Sequence, residues 1–374
     1  MTKVYFKKID EYNLGVLKEY VRNCFSELGI DFKKGSSVLV KPNFLLAKNA
    51  DSPVITNPVL IRAVLEVLLE MKTKPFIYEI PSMGSVENAA KKCGLDIICK
   101  ELNVEIKSLG EFVSKSNDNN KHFKKLFFPK ELDEADYVVN LAKLKTHSLM
   151  GLTLGIKNVF GLVKPEFRGQ MHFQTGRDRD EFAHMLIDVY NLVNPDLTII
   201  DGIIGMEGNG PANGVARKFG FVGASTHAYA LDIEVAKILN TDENKIPLLK
   251  IGKKRFNIVS EPIGDEIKID FLIKLPDTFN SNGTLTNLVY PYLKKFIQAR
   301  PVVIPEKCIT CLNCKNICPA KAISIRDGKA WIDDKICIKC FCCHEVCPIN
   351  AIKINKPYIG RLLEKNFNKG LEDE

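Results

Sequence analysis

Cys308-Ile309-Thr310-Cys311-Leu312-Asn313-Cys314-Lys315-Asn316-Ile317-Cys318-Pro319 recurs 29 residues later as Cys337-Ile338-Lys339-Cys340-Phe341-Cys342-Cys343-His344-Glu345-Val346-Cys347-Pro348. Both copies read C-x2-C-x2-C-x3-C-P. The match continues as Pro319-Ala320-Lys321-Ala322-Ile323-Ser324-Ile325 against Pro348-Ile349-Asn350-Ala351-Ile352-Lys353-Ile354. Three thiolates spaced this way wrap one face of a cubane, and the chain then turns away, so the fourth cysteine reaches the other centre. That assigns Cys308, Cys311, Cys314 and Cys347 to one 4Fe-4S cluster, and Cys337, Cys340, Cys343 and Cys318 to a second. Each proline ends a short helix and turns the chain into a strand. Zinc ribbons would leave half of these thiolates unused, and disulfides do not suit a chain without a secretion signal. Cys342 falls outside the repeat and reads as a small side chain packed beside a cluster.

The stretch from about 300 to 356 resembles the bacterial-type ferredoxin with two 4Fe-4S clusters. Ile309, Ile317, Ile323, Ile336, Ile338, Phe341, Val346 and Ile352 are expected to bury the sulfurs in an apolar shell, which disfavours the more charged reduced state and sets a low potential. At 374 residues and 45% hydrophobic composition, there is room for one large domain besides this small one. The formal net charge of +8 falls to about +4 with two oxidised clusters of about −2 each. That balance, without basic runs interleaved with aromatics, argues against a nucleic-acid partner. Met1 to Phe6 lacks the pattern of a signal peptide, and no apolar run reaches the roughly 18 to 20 residues of a membrane span. A cytoplasmic protein of an anaerobe, or of a strongly reducing cell, is expected.

Residues 1–299 alternate β-branched runs with amphipathic stretches, the pattern of an α/β layered, mostly parallel sheet. Residues 300–356 form the small α+β ferredoxin-like domain, and 357–374 a polar tail. Strands are expected at Val4–Ile9, Ser37–Lys41, Pro75–Ile80, Tyr137–Leu141, Leu197–Asp201 and Phe219–Gly223. Helices are expected at Leu14–Leu28, Asn57–Met71, Leu149–Leu162, Arg179–Leu192, Ala228–Leu239 and Thr284–Arg300. Open parallel sheets bind ligands beyond the carboxyl ends of their strands. Lys41-Pro42-Asn43, Glu79, Lys143, Lys145-Thr146-His147 and Asp201 all follow strands. They would form a rim suited to an anionic or metal-bound small molecule. Lys143 and Lys145 are expected to diverge, one meeting ligand while the other neutralises Glu79 or Asp201. Lys157-Asn158 puts polar groups inside an otherwise apolar run. The loop Glu207-Gly208-Asn209-Gly210 offers backbone amides that could cradle a phosphate or carboxylate.

Lys41-Pro42-Asn43, Thr56-Asn57-Pro58, Asn140 to His147 with Lys157-Asn158, and Asp201-Gly202 leading into Glu207 to Pro211 resemble domain-of-unknown-function family 362. Members of that family often carry a C-terminal ferredoxin module. The resemblance implies an iron-sulfur protein and does not name a reaction. The segment from Lys143 to Gly161 is also similar to the N-terminal domain of nickel-pincer lactate racemases, without that family's glycine-rich run after the histidine. The expected function is a reductase. A low-potential donor or acceptor protein would exchange electrons through the clusters with a small anion held by Lys41, Lys143, Lys145 and Lys157, and His147 would supply a proton. An accessory subunit docking a partner enzyme is one alternative, which a large exposed apolar patch would favour. A metal- or cofactor-handling enzyme using Glu79, His147, Asp201 or Glu207 is another.

Overall fold

Val38-Leu39-Val40 is apolar on both faces because its strand lies in the middle of a sheet covered on both sides, and all three side chains are fully buried. The computed structural model describes residues 1–176, 178–279 and 299–355. Its strands are β1 (Thr2–Lys8), β2 (Ser37–Lys41), β3 (Lys74–Tyr78), β4 (Ile106–Lys107), the separate hairpin β5 (Phe112–Ser116) and β6 (Lys125–Pro129), β7 (Tyr137–His147), β8 (Gly151–Thr153), β9 (Leu197–Glu207), β10 (Val215–Ser225) and β11 (Ser260–Gly264). The main sheet runs β11-β1-β10-β9-β7-β2-β3-β4, with β8 paired to β7. β9, β7, β2, β3 and β4 are mutually parallel, while β10 runs antiparallel to both of its neighbours. From β2 the chain builds outward through β3 and β4 on one side and through β7 and β9 on the other. The β2/β7 boundary is thus a topological switch point, where a crevice opens at the carboxyl ends.

Helices cover both faces. The helix Pro58–Glu70 begins with Pro58 in its first turn, and Asn57 caps it by accepting from Val59 N at 2.9 Å. Leu60, Ile61, Val64, Leu65 and Leu68 enter the core beneath β2 and β7, each contributing about 1.5–3 kcal/mol of transfer free energy. β7 and β9 each run six residues past the expected strand ends, which carries Lys143 to His147 along one extended edge. The helix expected at Leu149–Leu162 is broken. It holds the short strand β8, one turn of α-helix at Gly155–Asn158 and a 3-10 turn at Val159–Leu162. A further helix, Pro165–Thr175, follows it.

The C-terminal unit contains β12 (Arg300–Val303), β13 (Ile323–Arg326), β14 (Lys329–Ile332) and β15 (Ile352–Asn355), paired as two hairpin-like ladders. Short helices at Asn313–Ile317 and Cys342–Glu345 occupy equivalent places in the two sequence repeats. The repeat is also written in the backbone. Thr310, Leu312 and Lys321 have left-handed φ, as do their counterparts Lys339, Phe341 and Asn350. The expected helix from Thr284 falls outside the described residues up to 298, and Arg300 opens β12 instead; the tail from 357 also lies outside them.

Candidate functional site

A cavity of about 380 Å³ opens beyond the carboxyl ends of β2 and β7. Lys41, Asn43, Glu79, Lys145, His147, Lys157, Asn158 and Arg168 of the α/β domain form one wall, and Cys318, Pro319, Cys342 and Glu345 of the cysteine-rich unit form another. The site is therefore shared between the two parts of the chain.

Three of its cations are held in place by the fold. Lys41 Nζ reaches both carboxylate oxygens of Glu79 at 3.0 Å, and Glu79 also accepts from the backbone of Phe44 and Ile80. Lys145 Nζ is fixed by Asn43 Oδ1 and the Val54 carbonyl, both at 2.7 Å. Burial, and then the Lys157 and Lys143 charges, hold the Lys145 ammonium well below the usual lysine range. Asn43 donates to Asn158, which donates to Asn140, so one amide chain spans β2, the Gly155–Asn158 turn and β7. The Arg168 guanidinium donates to the carbonyls of Val163, Ile80 and Gly161, and burial lowers its pKa to about 10.

Lys157 is different. Among the described residues its ammonium makes no hydrogen bond or ion pair, and it stands near Glu345 and Cys342 across the cavity. Thr153 Oγ1 and His172 Nδ1 are buried on the same wall without a partner among the described residues. Buried polar atoms are rarely left unsatisfied, so Thr153 Oγ1 and His172 Nδ1, beside the half-buried Lys157 ammonium, mark a place for a polar guest. The carboxylates facing it are Glu79, already fully engaged, the exposed Glu166, and Glu345.

His147 Nδ1 accepts from the Leu149 and Met150 amides at 3.0 and 3.2 Å. The ring proton accordingly lies on Nε2, which points at Glu345 Oε1 at 3.3 Å. Burial holds the imidazole pKa well below its ordinary value, so the ring is a neutral donor. Burial pushes the Glu345 carboxyl up to about 7, with Lys157 and Lys145 opposing.

Several residues expected at this rim stand elsewhere. Lys143 Nζ pairs with Asp201 Oδ2 at 2.7 Å and with Tyr12 OH at 2.9 Å, and none of the three lines the cavity. Residues two apart share a face in a regular strand. The pairing of β7 with β9 shifts register between Lys143 and Lys145, and the two side chains part company there. Thr146 packs on Gly210, whose closeness leaves no space for a side chain: a Cβ there would sit 2.2 Å from Thr146 O. The loop from Glu207 to Gly210 spends its polar groups on residues 274–277. Gly208 N donates to Lys274 O, Asn209 exchanges two bonds with Asp277, and Glu207 accepts from Arg217 and Lys274 N. The Gly208 and Gly210 amides are taken up by Lys274 O and Gly208 O, and of the segment from Glu207 to Pro211, Pro211 alone lines the cavity. Arg168 is a lining residue that the sequence reading does not anticipate, because the helix that carries it was not expected. Lys164-Pro165-Glu166, proline at the first helical position and an acid in the first turn, was the available signal.

Two smaller cavities lie within the cysteine-rich unit. One is lined by Cys308, Cys311, Cys314 and Cys347, the other by Cys318, Cys337, Cys340 and Cys343 with Cys342 beside them. Each quartet combines three cysteines of one repeat with the fourth of the other. Ala322 N donates to Cys318 Sγ at 3.3 Å, and its repeat counterpart Ala351 N donates to Cys347 Sγ at 3.1 Å, as suits sulfurs that carry negative charge. All twelve cysteines are free of disulfides. Among the described residues no three His, Cys, Asp or Glu side chains converge on a single metal ion. Sulfurs spread around a cavity suit a polynuclear cluster, whereas Glu79, His147, Asp201 and Glu207 are each committed to separate partners. The expected apolar shell is incomplete, since Ile309 and Ile336 are 63% and 51% exposed.

The family described as Domain of unknown function (DUF362) matches residues 38–237. The chain belongs to this family. A 4Fe-4S dicluster domain matches residues 300–348, so this DUF362 protein carries a 4Fe-4S-binding module after its α/β domain. Thylakoid-associated protein sll1697 of Synechocystis sp. is 34% identical over 243 residues, covering 64% of the DUF362 chain and 74% of that relative. The lactate racemase apoprotein from Thermoanaerobacterium thermosaccharolyticum aligns with a TM-score of 0.40 and 12% identity, over 64% of this chain and 57% of that one. No helix among the described residues is long and apolar enough to cross a membrane.

Proposed function

We propose that this DUF362 protein is an iron-sulfur oxidoreductase whose eight repeat cysteines hold two 4Fe-4S clusters and whose shared cavity binds a small anionic substrate or cofactor. The observation that carries the reading is one cavity lined both by the unpartnered Lys157 ammonium and by Cys318, a member of a cysteine quartet. When bound, the clusters supply electrons one at a time, replenished by a low-potential carrier protein. Lys157, backed by Lys145 and Arg168, fixes the anionic group. Desolvated cations act more strongly there than in water. A two-electron reduction also takes up two protons. One is held by the Glu345 carboxyl, whose oxygen takes the Nε2 proton of the neutral His147 ring as a hydrogen bond at 3.3 Å, and the second enters from solvent. The thiolates of such a site require a reducing compartment, which fits the cytoplasm.

The test uses full-length protein loaded with iron and sulfide without oxygen, reduced chemically and followed by its iron-sulfur absorbance. Small carboxylates and phosphate esters are added in turn. At least one should accelerate reoxidation. Lys157→Ala should weaken its apparent affinity about ten- to hundredfold, because a charge-assisted contact contributes about 1.5–3 kcal/mol. If no small anion accelerates reoxidation and none binds by calorimetry, the reading fails.

A further inference from the structure

The two sequence repeats are alike in backbone but differ in surroundings. In the second copy Cys340, Phe341 and His344 are only 7%, 4% and 4% exposed, because that face sits on the α/β domain. Asn213 Nδ2 donates to His344 O at 2.7 Å, and Glu345 meets His147. The equivalent positions of the first copy are uncovered: Cys311 and Lys315 are exposed, and Leu312 is 40% exposed. Ile309 and Ile349, at 63% and 37%, extend the same apolar rim around the cavity of Cys308, Cys311, Cys314 and Cys347. Lys307 and Lys315 flank the cysteine triplet in sequence and make no ion pair among the described residues, and Lys329 Nζ lies on Cys308 O at 2.8 Å. The neighbouring acids in sequence are Glu306 and Asp327, so lysines outnumber them.

We infer that this open face is the docking site for a small acidic electron-carrier protein. The inference rests on the oxidoreductase reading above and adds a direction to it. The quartet containing Cys311 exchanges electrons with the carrier, and the quartet containing Cys318, which borders the large cavity, exchanges them with the bound guest. Transfer rates fall steeply with distance, so the carrier must seat over the exposed quartet. An apolar patch flanked in sequence by Lys307 and Lys315, which make no ion pair among the described residues, fits an acidic partner with an apolar centre, in the small, transient interface typical of redox encounters. At each encounter the carrier is oxidised by one electron and the chain is reduced by one, with no atom transferred.

The experiment mixes the iron-loaded full chain with a reduced acidic flavodoxin in a stopped-flow instrument, recording reduction of the chain itself. Lys307→Glu/Lys315→Glu should lower the second-order rate at least tenfold at low ionic strength, with the gap closing as salt rises. Ile309→Glu/Leu312→Glu should lower it at all salt concentrations. Leu109→Glu, at an exposed site on the α/β domain, should leave it unchanged. Iron content and reduction by dithionite should match the parent in every variant used. Parental rates in both double variants, an equal loss in Leu109→Glu, or a dimer that both double variants dissociate would overturn the inference. No cavity guest is needed for this readout. Docking can therefore fail while the cavity reading stands, and the reverse.

Discussion

Replacing Lys143 should separate a structural lysine from a ligand-binding one. Asp201 is fully buried and accepts from Lys143 Nζ at 2.7 Å, Tyr12 OH at 2.8 Å and Asn57 N at 3.0 Å. Lys143→Met removes the only countercharge in that set and leaves a buried carboxylate with two neutral donors. Breaking one side of a buried pair costs about 3–5 kcal/mol, a large part of the 5–15 kcal/mol typical of a folded domain. With a urea slope of about 3 kcal/mol/M, the midpoint should fall by about 1 to 1.7 M. Tyr12→Phe, which deletes one neutral donor, should cost about 1 kcal/mol. Lys143→Met/Asp201→Asn should recover part of the loss, because no uncompensated charge remains. Lys157→Met should leave the unfolding free energy within about 0.5 kcal/mol of the parent, since that ammonium has no partner to lose among the described residues. Urea titrations followed by far-ultraviolet circular dichroism measure all four. If Lys143→Met keeps parental stability and instead abolishes anion binding, the assignment of Lys143 to the fold is wrong.

Asp232 accepts from Gly155 N and Ile156 N, and burial lifts its pKa from the ordinary 3.8 to about 7. The folded state holds this proton more tightly, so the stabilisation is complete below about 3.8 and is lost as pH rises through about 7; Asp232→Asn should flatten that part of the thermal midpoint against pH. Cys347→Ala should lower bound iron by about half, whereas Cys342→Ala should leave iron and acid-labile sulfide unchanged on analysis. Gly210→Ala should cost about 1–3 kcal/mol through overpacking against Thr146, lowering the thermal midpoint by several degrees while anion affinity stays parental.

The cysteine quartets were legible in the sequence because a duplicated spacing is a geometric statement: three ligands per turn and a fourth carried across by the next segment. The α/β class was legible for a similar reason, the apolar runs of β2, β7 and β9 being long enough to read as strands buried on both faces. The cavity was half legible. Lys41, Asn43, Lys145, His147, Lys157 and Asn158 come together because strand ends gather at a switch point. Which lysine is free depends on partners far away in sequence, and no local pattern shows that Asp201 takes Lys143. The glycine-rich loop stands away from the cavity because Gly208 N and the Glu207 and Asn209 side chains engage residues 274–277, a partner that spacing does not reveal. Glu345 escaped notice because it is supplied by the other domain, nearly two hundred residues after His147.

Because the large cavity takes walls from both parts of the chain, a guest bound there and the cysteine-rich unit would act as each other's ligands. Whatever factor the seated unit contributes to the affinity for the guest, the guest must return to the seating of the unit, since the coupling is reciprocal. Oxidative damage that loosens the metal-bearing half would then register first as weakened binding of a molecule that touches no iron, and a saturating guest would slow that damage.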